Sequence, residues 1–293
     1  MYQMLEKSCN WFTLHGPAER GSGSSRVCDR YAFILFCRGG EGSESPANQC
    51  SGKTGGFCTF ARPPCYNDAD RKGGSAMERI AQEALRYLGA TGADDALRRR
   101  AEEAAELAAA HGTPRWRYAV FDVQHTPEGI LLPGAGLILP GRTARRMLAE
   151  SSRAVLLLCT LGLTFDSWLR TLQRQDMALA ALADGCGSAL VEQGCDLAQE
   201  EIAARFPGMY LTDRFSPGYG DLPLSVQPAL CRAAGAASLG VYVTQSCLMN
   251  PQKTVSAVIG LADTPQRARI RGCAFCALRH QCTMRKEGFR CEA

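Results

Sequence analysis

From residue 77 onward the chain repeats its apolar positions with a helical period. Ile80, Ala84, Leu85 and Leu88 share one face of a helix that Gly89 and Gly92 end. Asp94 is placed to cap a second helix over about 95–110. Its Ala101, Ala104, Ala105 and Ala108 form a face of small residues, while Arg98, Arg99, Arg100, Glu102 and Glu103 face water. The period then changes. Residues 116–123 are rich in aromatic and β-branched side chains and predict a strand. Two short apolar runs in 129–140, on either side of Pro133-Gly134-Ala135-Gly136, predict strands joined at a turn. Helices are predicted at 142–150 and 165–174, with a buried strand at 154–159 between them. A long helical pattern runs over 177–205, weakened at Gly185-Cys186-Gly187 and at Gly194. After Pro207 come a short strand at 209–212, a Gly- and Pro-rich loop at 213–223, a helix at 223–234, and strands at 241–244 and 255–259. Helices interleaved with short strands, without strict βαβ alternation, predict an α+β fold rather than a doubly wound sheet.

Residues 1–76 share none of this periodicity. They carry Gly-Ser-Gly-Ser-Ser at 21–25, Gly-Gly at three places and Pro-Pro at 63–64. Their one apolar run, 31–37, is too short to span a bilayer and lacks a following cleavage site. The tract reads either as a disordered extension or as sequence upstream of a translation start at Met77. Over the whole chain of 293 residues, 46% are hydrophobic, which excludes a wholly disordered protein. No window of about 18 unbroken apolar residues occurs, so no membrane span is expected. The formal charge of +4 is spread over both signs and does not by itself call for nucleic acid.

The fifteen cysteines form three populations. Six lie in 1–76 without close spacing. Five (Cys159, Cys186, Cys195, Cys231 and Cys247) sit in apolar stretches and read as packed thiols. Four close the chain as Cys273-x2-Cys276-x5-Cys282-x8-Cys291. Four thiols within 19 residues predict a metal site, either zinc or a [4Fe–4S] cluster. The C-x2-C-x5-C spacing resembles the cluster segment of some iron–sulfur nucleases, which favours the cluster, and His280 reads as a bystander. Thiolates held for metal, and an odd cysteine count, fit a reducing cytoplasm. Residues 265–293 also hold seven Arg or Lys against two Glu. This basic tail motivates an alternative function, a zinc-containing nucleic-acid-binding protein. The rest of the chain argues against it, having neither a basic stripe nor an aromatic stacking pattern.

The most informative stretch is 214–227, RFSPGYGDLPLSVQ. Pro217 fixes one dihedral, Gly218 and Gly220 permit left-handed turns, and Tyr219 is held between them. The whole is a rigid loop, not a linker. Arg214 offers a planar fork of donors suited to a carboxylate or phosphate, and Asp221 can accept from an amine or a ribose hydroxyl. This loop resembles the Arg-x-x-Pro-Gly-Tyr motif of the activation domain of cobalamin-dependent methionine synthase. Its longer form, Ser-Pro-Gly-Tyr-Gly-Asp-x-Pro-Leu-x-x-Gln, resembles the free-standing members of that family. Three other stretches agree in order: 83–89 (EALRYLG), Thr160-Leu161-Gly162 followed by Asp166, and 248–260 (LMNPQKTVSAVIG).

The resemblance covers about 77–293. It implies a C-shaped α+β domain over 77–264, a twisted antiparallel sheet flanked by helices, with 265–293 as the four-cysteine metal-binding tail. It implies S-adenosylmethionine as ligand, with Arg214 on its carboxylate, with Pro217, Gly218 and Tyr219 shaping the pocket and placing the tyrosine near the corrin face, and with Asp221 among the residues that bind methyl donor or cobalamin. The chain has no Asp-x-His-x-x-Gly cobalamin signature. Cobalamin is therefore expected on a partner, methionine synthase or another corrinoid methyltransferase chain. Rescue of cob(II)alamin consumes one electron and a methyl group, so an electron donor is implied too. The chemistry is then that of a methyltransferase system whose cobalt sits on the partner.

Overall fold

A computed structural model of the chain describes residues 75–90, 92–270 and 280. The leading tract up to residue 74 and all four C-terminal cysteines lie outside the described residues.

The first helix, α1 (Ala76–Tyr87), starts one residue before Met77. Ser75 caps it by accepting from the Glu78 N–H, and the Glu78 carboxylate accepts from the Ser75 N–H in return. Asp94 caps α2 (Asp95–His111) through the Leu97 N–H, and the four predicted alanines of its inner face are fully buried. The strands follow as β1 (Arg115–Asp122), β2 (Gln124–His125), β3 (Ile130–Leu132) and β4 (Leu137–Leu139). Next come α3 (Gly141–Met147), β5 (Arg153–Thr160), α4 (Leu163–Gln175) and the 29-residue α5 (Met177–Arg205). The chain then passes through β6 (Tyr210–Leu211), α6 (Gln227–Ala233), β7 (Tyr242–Val243), β8 (Met249–Asn250) and β9 (Thr254–Ala262).

The main sheet has the order β1-β5-β9-β6, and every pairing is antiparallel. Its central strands, β5 and β9, are buried almost throughout, because helices cover both faces. On one face lie α5 and the helices that pack on it, α1, α2 and α4. On the other, Ala119, Phe121, Leu156, Leu158 and Val258 pack with α3, α6 and the β3–β4 hairpin. This is a mixed α+β fold with open antiparallel sheets flanked by helices.

The predicted weak points of α5 do not break it. Gly187 and Gly194 are places where neighbours come too close for a side chain. A Cβ on Gly187 would lie 2.5 Å from the Phe165 ring, and one on Gly194 would lie 2.5 Å from Pro114 and 2.8 Å from the Cys159 sulfur. Four of the five scattered cysteines are buried as expected. Cys247 departs: it is half-exposed in the β7–β8 turn with φ +61°, a conformation a packed thiol would not need.

Candidate functional site

The loop carrying the sequence motif is anchored at both ends. Phe215 is fully buried and exchanges two backbone hydrogen bonds with Val258 of β9. The Ser216 hydroxyl donates to the Ser256 carbonyl at 2.6 Å. Gly218 and Gly220 have φ of +91° and +55°, the left-handed turns expected of them. Within the loop, the Gly218 N–H donates to the Leu222 carbonyl and the Leu222 N–H to that of Tyr219. At the end of the motif Gln227 is buried, and its amide donates to the Ser256 hydroxyl at 2.7 Å.

Asp221 is placed at the start of α3. Its two carboxylate oxygens accept from the Arg142 N–H at 2.7 Å and the Thr143 N–H at 2.8 Å. Those hydrogen bonds, Thr143's first, hold its carboxyl well below the usual carboxylate range. The loop is seated closely there, since a Cβ on Gly220 would meet the Thr143 hydroxyl at 2.3 Å. Asp221 thus ties the loop to a helix terminus, a task its sequence position did not disclose.

Arg214 enters from β6, and its side chain is only 6% exposed. Its guanidinium donates to Asp196 at 2.6 Å, Gln199 at 3.0 Å and Glu192 at 3.1 Å. These three acceptors fall at i, i+4 and i+7 along α5 and so share one face. Burial opposes the guanidinium charge, but Cys195, Asp196 and Glu192 outweigh it and the pKa rises. The three bonds use three of the five guanidinium N–H donors.

From α1 the same place receives Glu83, Arg86 and Tyr87. Arg86 pairs with Glu83 and lies 4.7 Å from the Tyr87 ring centroid. Burial, reinforced by Glu83, Glu192 and Asp196, pushes the Tyr87 phenol well above its ordinary value. Three carboxylates therefore face two guanidinium groups across α1, α5 and the loop. The excess negative charge suits a ligand that brings a cation. Sequence reasoning missed Glu192, Asp196 and Gln199; their stripe on a helix flanked by apolar positions was the available signal.

The remaining two stretches meet the same framework. Asp166 accepts from the Gln252 N–H at 2.7 Å, and burial raises its carboxyl pKa. The Thr160 and Thr254 hydroxyls share a hydrogen bond at 2.8 Å, and the Leu161 N–H donates to the Lys253 carbonyl. Lys253 is buried against Asp184 and Ser188 of α5, at 2.9 Å from each. All four stretches singled out in the sequence are thus joined around α5 and β9.

No protein-family model matches the chain. No curated protein matches it either. Among solved structures it is similar to the MetH reactivation domain bound to AdoHcy, with a TM-score of 0.45 and 14% identity over 74% of this chain and 78% of that one. Among the described residues, no group of three or more His, Cys, Asp or Glu is arranged to hold a metal ion, and no helix is long and apolar enough to cross a membrane.

Proposed function

We propose that the chain is an S-adenosylmethionine-binding reactivation component that supports reductive methylation of cob(II)alamin on a partner corrinoid methyltransferase, methionine synthase being the first candidate. The observation that carries this reading is the meeting of Glu83, Tyr87, Glu192, Asp196 and Arg214 in one charged cluster. S-adenosylmethionine has an ammonium and a sulfonium against one carboxylate, so it complements a cluster with one carboxylate more than guanidinium. Arg214 would take the ligand carboxylate, and Glu192 and Asp196 the ammonium. Pro217, Gly218 and Tyr219 would form the rigid rim against which ligand and corrin are placed, and Asp221 would fix that rim to α3.

The protein's own contribution is position and charge; the partner's cobalt supplies the methyl-transfer chemistry. Cys273, Cys276, Cys282 and Cys291 would hold a [4Fe–4S] cluster or zinc, and a cluster would give the single electron a route. An absorption spectrum and metal analysis of anaerobically purified protein separate the two: bound iron with a broad visible band supports the cluster, and stoichiometric zinc rejects it.

Calorimetry with S-adenosylmethionine tests the central claim. Binding by the folded wild-type chain, weakened at least tenfold in Arg214→Ala, is the expected result. No heat of binding to the folded wild type would refute the reading. Equal affinity in the variant would refute the role given to Arg214.

A further inference from the structure

The last turn of α1 brings a third carboxylate to the Arg214 cluster. Glu83 and Tyr87 lie four residues apart on that helix and so share a face. Arg86 lies beside that face and donates to Glu83 through its Nε at 3.0 Å. α1 packs on α5. The backbones come close at Gly185, where a Cβ would lie 3.2 Å from the Ala84 Cα. Gly185, Glu192 and Asp196 follow one another on α5 at i, i+7 and i+11 and so lie on one stripe. The two carboxylates that pair with Arg214 thus stand on the side of α5 that α1 covers.

The charges there do not balance. Arg214 meets Glu192 and Asp196, and Arg86 meets Glu83. Pairing with Arg86 does not cancel Glu83 at Tyr87. After burial, Glu83 is the strongest influence raising the Tyr87 phenol's pKa, ahead of Glu192 and of the opposing Arg86. S-adenosylmethionine carries a net charge of one positive unit, from its ammonium and sulfonium against its carboxylate. When the methyl group leaves, the electron pair of the C–S bond stays on sulfur, and the product is a neutral thioether. With the ligand carboxylate on Arg214 and its ammonium between Glu192 and Asp196, Glu83 is the carboxylate left to answer the sulfonium.

We propose that Glu83 is a specificity-determining residue of this site, supplying the negative charge that favours the sulfonium of S-adenosylmethionine over the neutral thioether of S-adenosylhomocysteine. The inference rests on the S-adenosylmethionine reading of the Arg214 cluster and adds to it a preference for donor over spent product.

The test is calorimetric titration of the full chain with S-adenosylmethionine and with S-adenosylhomocysteine, at low and high salt. It is repeated on Glu83→Gln, Glu83→Asp and Glu103→Gln. Gln still accepts from Arg86, and a denaturation curve verifies that each variant is folded. Wild type should favour S-adenosylmethionine by about tenfold, and salt should narrow the gap. Glu83→Gln should reduce the preference to about threefold, while Glu83→Asp, which keeps the charge, should retain most of it. Glu103, on the outer face of α2, serves as the distant acidic control, and its substitution should leave the preference as it is. Equal affinities in wild type would overturn the proposal while leaving the S-adenosylmethionine reading in place. An unchanged preference in Glu83→Gln, or an equal fall in Glu103→Gln, would overturn the role of Glu83. Binding of neither ligand to the folded wild type would sink the reading and the inference together.

Discussion

Replacing Gly194 with alanine sets two well-measured effects against each other. Gly194 lies inside α5, where alanine is favoured over glycine by about 1 kcal/mol. If the helix were all that mattered, the substitution would stabilise the protein. The added methyl, however, would lie 2.5 Å from the Pro114 ring and 2.8 Å from the Cys159 sulfur. Neither neighbour is the free end of a flexible chain. Cys159 is fully buried in the central strand β5, and Pro114 leads directly into β1. Overpacking of this kind costs about 1–3 kcal/mol. With two stiff contacts the upper half of that range applies, leaving a net loss of about 1–2 kcal/mol. Urea denaturation followed by circular dichroism reads this as a midpoint lower by roughly 0.5–1 M. A midpoint that stays or rises would refute the claim that α5 rests on the sheet at this glycine. Removing the sulfur sharpens the test. In a Cys159→Ala background the glycine substitution should cost less, and strict additivity would show that the sulfur contact plays no part.

Two further outcomes follow from the polar groups that join the stretches. Lys253→Met removes the buried partner of Asp184, which is 31% exposed and keeps some access to water, so the loss should be about 2 kcal/mol; Lys253→Met combined with Asp184→Asn should recover part of it in the same denaturation assay. Asp221 has a folded-state pKa below its unfolded one, so its contribution is complete above about pH 4 and is lost as the pH falls through the folded value; Asp221→Asn should flatten the acid limb of stability against pH, and an unchanged limb would contradict the capping role.

Much of the fold was legible because its periodicities are local. The alanine face of α2, the buried run of β5 and the extent of α5 all follow from side-chain spacing. The stiffness of the 214–227 loop was legible for the same reason, since Pro and Gly act on their own dihedrals. What was not legible depends on tertiary neighbours. Nothing near Arg214 in sequence announces Glu192, Asp196 and Gln199, which reach it from 15 to 22 residues upstream. Likewise the partners of Asp221 lie 78 and 79 residues away, at a helix start that its own loop does not encode. The glycines of α5 read as weak points because propensity sees only the helix; their purpose lies in Phe165, Pro114 and Cys159 across the interface.

The pairing of Arg214 bears on how such a site can work. An arginine side chain 6% exposed cannot stand unpaired, since desolvation without a counter-charge costs several kcal/mol. The resting chain meets that requirement with acceptors from α5. Of the two carboxylates, Glu192 is 28% exposed and Asp196 is 60% exposed. Asp196 is therefore the cheaper one to release, because water can take over its hydration. Under the proposed function, an incoming ligand carboxylate would replace Asp196 on Arg214. The number of hydrogen bonds to the arginine would be conserved, and a carboxylate would be freed within reach of the ligand's ammonium. Affinity would then come from the difference between two nearly equal arrangements. Asp196→Asn, which weakens the resting pair and also removes a partner for the ammonium, should change S-adenosylmethionine affinity far less than Arg214→Ala.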